Sequence, residues 1–101
     1  MNMQKMMKDL QKMQGRMSEV QEALASTVYE AEAGGGLVKI ALNGKFEVQS
    51  VRLKKEAVDP GDIEALEDLL LAAFNEARAK AEADSQSRMG GVTKGLGLPG
   101  M

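Results

Sequence analysis

The spacing of apolar residues changes period twice along the chain. From residue 2 to 26 the side chains Met3, Met6, Leu10, Met13, Met17, Val20 and Leu24 recur at alternating intervals of 3 and 4. This a/d heptad seam predicts one long helix made to lie against another helix. Polar flanks at Asp9, Gln14, Arg16 and Gln21 keep the strip narrow, and its methionines give a soft, adaptable surface. Between 27 and 53 the period falls to two. Thr27, Val28 and Tyr29 open a first strand over 27–33, and Gly34, Gly35 and Gly36 provide a sharp turn. Val38, Ile40 and Leu42 then line one face of a second strand over 37–42, and Asn43-Gly44 signals a hairpin into a third over 45–53. In that third strand Phe46 and Val48 share one parity and Val51 and Leu53 the other. A bulge near Gln49 and Ser50 restores a common face and predicts that all four are buried.

Helical spacing returns after Asp59-Pro60-Gly61-Asp62. Asp59 suits an N-cap, Pro60 the first helical position and Asp62 the third, predicting a helix over 60–86. Ile63, Leu66, Leu69, Leu70, Ala73, Phe74 and Ala77 give it a broad apolar face to lay on the sheet. Glu64, Glu67 and Asp68 complement the helix dipole, which accounts for that acidic cluster without a metal. Residues 88–101 hold five glycines and a proline and read as a flexible tail after a single domain at 1–87. The expected class is α+β, a three-stranded antiparallel sheet with a long helix at each end.

Composition narrows the chemistry. With no cysteine and no histidine among 101 residues, thiolate nucleophiles, disulfides, thiolate zinc sites and imidazole bases are all excluded. No serine has a candidate base, and no phosphate loop or nucleophile elbow occurs, so neither an enzyme nor a cofactor is expected. No apolar run approaches the roughly 20 residues of a membrane span, and the N-terminus lacks a signal-peptide pattern, which predicts a cytoplasmic protein. A long first helix that adds little to a core of its own predicts a partner subunit.

The formal net charge of -2 argues by itself against nucleic acid, but the charge is sorted into blocks. Residues 1–17 carry four bases and one acid, 18–36 only acids, 37–55 five bases and one acid, and 56–76 seven acids and no base. Lys5, Lys8, Lys12 and Arg16 follow at intervals of 3, 4 and 4, falling within an arc of roughly 80° that points away from the seam. Such a ridge suits phosphate contact, with Arg78 and Lys80 of the last helix joining it. Lys39, Lys45, Arg52, Lys54 and Lys55 read instead as solubilising charges on a half-buried sheet.

The element order, with Ala33-Gly34-Gly35-Gly36-Leu37-Val38-Lys39 opening the second strand, Asn43-Gly44 closing it, Glu64 through Ala73 on the last helix and Gly95-Leu96-Gly97-Leu98-Pro99-Gly100 near the end, resembles the YbaB/EbfC family of bacterial nucleoid-associated proteins. One departure is the bulky Phe46 where a smaller residue is expected. The resemblance implies a tweezer-like homodimer of α-β-β-β-α protomers in the cytoplasm and nucleoid. It also implies binding to double-stranded DNA with low or modest sequence preference, altering DNA conformation and gene expression. A competing reading is a dimeric interaction module whose Met-rich helix docks on replication or recombination enzymes, with DNA contact incidental. The scarcity of aromatic residues near the basic ridge disfavours a single-strand stacking platform.

Overall fold

The computed structural model describes residues 2–94. Helix α1 spans Met3–Ser26, strands β1, β2 and β3 span Val28–Ala33, Val38–Asn43 and Val48–Leu53, and helix α2 spans Ile63–Lys94. A single 3-10 turn, Lys55–Ala57, follows β3. The strands form one antiparallel sheet in the order β1-β2-β3. The α-β-β-β-α order expected from the sequence is the one found. No helix among the described residues is long and apolar enough to cross a membrane.

Helix α1 starts where Asn2 accepts hydrogen bonds from the backbone of Gln4 and Lys5 at 3.1 and 3.3 Å. It ends with its last carbonyls taken by Ser26 and Thr27 hydroxyls, the latter at 2.6 Å from Ala23 O. These groups satisfy termini that a helix leaves unbonded. The β1–β2 turn uses Gly34, Gly35 and Gly36 at φ +65, +67 and +93°, a region in which a side chain is strained. Gly34 also lies under Leu69 of α2, where a Cβ would meet Leu69 Cδ2 at 2.9 Å.

Helix α2 lies across β1 and β2 and barely touches β3. Ala31, Val38, Ile40 and Leu42 meet Ala73, Ala77 and Ala81, whose side chains have no solvent exposure. Four-residue spacing puts the three alanines on one stripe, so helix and sheet approach closely with no side chain to hold them apart. Phe74, Leu66, Leu69 and Leu70 fill the flanks of this contact.

The bulge is where the parity of β3 requires it. Ala41 pairs with Ser50 and Leu42 with Val48, so Gln49 has no partner. The expected burial of β3 is overturned: Phe46, Val48, Val51 and Leu53 share the α2 side but remain 39–50% exposed. A helix about 10 Å wide covers roughly two strands spaced ~4.8 Å apart, and the third is left bare.

Three boundaries differ from expectation by more than one residue. Helix α2 begins at Ile63 rather than 60, because Asp62 is its cap, accepting from Ala65 N at 3.1 Å, while Asp59 closes a separate turn through Gly61 N at 2.9 Å. Helix α2 also continues through 88–94, including Gly90 and Gly91, where a flexible tail was expected. Each glycine disfavours helix by about 1 kcal/mol, and burial of Val92 to 5% exposure opposes this. The rest of that expected tail, 95–101, lies outside the described residues. Strand β3 begins at Val48 rather than 45, since residues 44–47 form the turn.

That turn is organised by Asn43, whose side-chain oxygen accepts from Lys45 N and Glu47 N at 2.9 and 3.1 Å and whose amide donates to Glu47 Oε1 at 2.8 Å. Phe46, not Gly44, takes the left-handed conformation, with φ 64°. Gly44 is needed for close approach instead: its N–H donates to Leu24 O at 2.7 Å, and a Cβ there would lie 2.6 Å from Leu24 Cβ. The end of α1 is thereby fastened to the β2–β3 turn.

Candidate nucleic-acid interface

Helices α1 and α2 contact one another. The seam of α1 is graded along its length: Leu24 is buried, Met13, Met17 and Val20 are half-buried, and Met3, Met6 and Leu10 are exposed. Since α1 enters the sheet at Leu24 and α2 leaves it near Asp84, the two helices form an arm extending from the body. The described residues span 70 × 24 × 16 Å. At 1.5 Å rise per residue, Lys5 stands about 28 Å along the helix from Leu24.

Lys5, Lys8, Lys12 and Arg16 are all exposed on this arm, and none has a carboxylate within 4.0 Å among the described residues. Intervals of three and four residues set successive cations about 4.5–6 Å apart along the axis. Such a row presents positive charge without committing it to an internal partner, and ammonium groups on long stems bond phosphate oxygens without reading bases.

Arg78 and Lys80 are differently placed. Arg78 pairs with Glu82 at 3.3 Å and stands over the Phe46 ring, 5.4 Å from its centroid. Lys80 donates to Glu30 O at 2.8 Å, capping an outward carbonyl on the β1 edge. Both belong to the sheet-covering part of α2, and the partners Glu82, Phe46 and Glu30 all lie off α1.

The base of the arm is tied by a polar cluster. Tyr29 donates to Asp84, which also receives Arg88 Nε at 3.1 Å. The Tyr29 hydrogen bond and Arg88 hold the Asp84 carboxyl below its usual range. Partial burial, then the hydrogen bond to Asp84 and its charge, pushes the Tyr29 phenol upward.

Two features eluded reading from the sequence. The first is the apolar strip of β3 and its surroundings: Phe46, Val48, Val51, Leu53 and Val58 together with Leu71 of α2, all exposed. Its signal was the pair of parities around Gln49, but exposure follows only from the width of one helix. The second is the direct opposition of Lys39 and Arg52, since the sequence groups Lys39, Lys45, Arg52, Lys54 and Lys55 on the open sheet face but does not give the strand register.

Comparison with known proteins places these features in context. The model of the YbaB/EbfC DNA-binding family matches residues 1–96. A nucleoid-associated protein of Pelotomaculum thermopropionicum is 48% identical over 100 residues, covering 99% of this chain and 95% of that protein. Another, from Alkaliphilus metalliredigens, is 48% identical over 100 residues, covering 99% of this chain and 88% of the relative. A third, from Chloroflexus aurantiacus, is 47% identical over 96 residues, covering 95% and 96%. Among solved structures, an uncharacterised protein of Helicobacter pylori superposes with a TM-score of 0.77 at 23% identity, covering 86% of this chain and 91% of that one. That likeness is one of fold. The family binds DNA and is not a family of enzymes. With a match over nearly its whole length and relatives at almost half identity, the chain belongs to the YbaB/EbfC DNA-binding family.

Proposed function

We propose that the protein is a nucleoid-associated homodimer that grips double-stranded DNA between its α1 arms, with little sequence preference, and by doing so alters DNA conformation and gene expression. The observation that carries this reading is the row Lys5, Lys8, Lys12 and Arg16, exposed and without carboxylate partners on a projecting helix. Acidic blocks at 18–36 and 56–76 repel DNA from the rest of the surface. Dimerisation is assigned to the β3 side, where Val48, Val51, Leu53 and Leu71 leave apolar surface in water beside an unpaired strand edge. Such a protein works in the cytoplasm, on the nucleoid.

A duplex titration at several salt concentrations tests this. Two ridges gripping backbone give a log K against log salt slope of roughly -4 to -8, at about -0.9 per phosphate neutralised. Changing Lys5, Lys8 and Lys12 together to Glu abolishes retention of DNA by a folded dimer; unchanged retention sinks the site assignment. A second reading has its own observation, the exposed Met3, Met6, Met7 and Leu10 at the outer end of α1. It makes the arm a docking surface for replication or recombination proteins, and absence of duplex binding even at low salt favours it.

A further inference from the structure

On the sheet face turned away from α2, a concavity of about 550 Å³ opens between the β1–β2 turn and the end of β3. Its walls include Glu32, Lys39, Arg52 and Lys54, and the bare backbone of Gly35 and Gly36 contributes to its floor. Lys39 and Arg52 are directly opposed across β2 and β3, an arrangement of like charges that destabilises a sheet unless counter-charge is supplied. Lys39 is answered by Glu30 at 3.1 Å. Arg52 and Lys54 are exposed, and neither has a carboxylate within 4.0 Å among the described residues.

The position of Lys54 is fixed by its backbone, whose N–H donates to Leu37 O at 2.9 Å. Its ammonium lies 3.7 Å from the point where a Cβ on Gly36 would stand, and Glu32 Oε2 lies 3.5 Å from that point. The two side chains thus flank Gly36, while nothing lies within 4 Å of the Cβ position of Gly35, whose backbone is left uncovered. An arginine fork and a lysine point charge beside open backbone match a phosphate group, which accepts bidentate bonds on one edge and a single charged bond on another.

We propose that this concavity is a phosphate-binding site, with Arg52 and Lys54 as its ligands and Lys39 adding to its field. The site lies on the body and stands independently of the α1 ridge. The phosphate has two possible sources, the backbone of a duplex strand and a free phosphate compound.

The test is a ¹⁵N NMR titration of the full chain with sodium pyrophosphate at constant ionic strength. The amides of Gly35, Gly36 and Lys54 and the side chain of Arg52 shift saturably, and the double variant R52Q/K54Q raises the midpoint about tenfold or more. A parallel titration with duplex uses the Lys5→Glu, Lys8→Glu, Lys12→Glu variant, which lacks the arm ridge. Shifts at the same amides assign the site to the nucleic-acid backbone. Pyrophosphate saturation with no response to duplex assigns it to a free phosphate compound. If neither probe gives a saturable shift, or if R52Q/K54Q responds like the unaltered chain, the site does not exist. Unchanged duplex retention by the Lys5→Glu, Lys8→Glu, Lys12→Glu variant overturns the proposed function and leaves the pyrophosphate result untouched.

Discussion

The hydroxyl of Tyr29 donates to the carboxylate of Asp84, joining the start of β1 to the point where α2 leaves the sheet. Because the folded state depresses the Asp84 pKa, the stability it contributes is complete above the ordinary aspartate value. It is lost as pH falls through the depressed folded-state value. The Tyr29 phenol is raised in the folded state, so its contribution is complete below the ordinary tyrosine value and is lost as pH rises through the folded one. Tyr29→Phe therefore lowers the melting temperature at neutral pH, and the gap from the unaltered protein narrows in acid and in strong base. Thermal melts at several pH values check this, and a gap constant across pH refutes it.

Glycine at 44 and glycine at 15 respond oppositely to alanine. A Cβ at 44 lies within 3 Å of Leu24 Cβ, O and Cα, whereas one at 15 meets nothing within 4 Å. Gly44→Ala costs about 2–3 kcal/mol, since backbone must shift. Gly15→Ala on exposed helix stabilises by roughly 0.5–1 kcal/mol. Urea denaturation of both variants measures the contrast.

For the proposed dimer, Val51→Asp is expected to give a monomer, because it places a charge in the centre of the exposed β3 strip. Leu10→Asp leaves it dimeric. Sedimentation velocity distinguishes the two, and a dimer that survives Val51→Asp moves the interface elsewhere.

The proposed interface predicts different effects on DNA binding for cations on α1 and α2. Lys8→Gln reduces the magnitude of the salt slope by about 0.9 for each protomer, one phosphate contact. Lys80→Gln leaves the slope unchanged, because its ammonium is already bonded to Glu30 O. Fluorescence anisotropy over a salt series reads both.

Much of the fold is legible in the sequence where local pattern and global packing agree. Val38, Ile40 and Leu42 alternate because α2 buries one side of β2, and the parity change across Gln49 locates the bulge. Where long-range contacts decide, local signals mislead. Asp59 and Asp62 are equally good caps on paper, and only the turn that Asp59 closes with Gly61 selects Asp62. Gly90 and Gly91 suggest a break, yet the helix continues past them because Val92 finds cover. Phe46 takes a left-handed conformation that its residue type disfavours, within the Asn43 turn and against Arg78. The cations of α1 are legible because one helix alone fixes their spacing. The juxtaposition of Lys39 with Arg52 depends on register between strands, which composition does not carry.

The tight seating of Ala73, Ala77 and Ala81 on the sheet and the bond from Gly44 to Leu24 clamp the inner ends of both helices. Beyond these clamps the arm is a cantilever. From Leu24 to Met3 it reaches about 32 Å, so a tilt of about 5° at its root displaces the tip by roughly 3 Å. Elastic compliance therefore grows with distance from the body, and the outermost lysines can follow an irregular surface while the sheet stays undeformed.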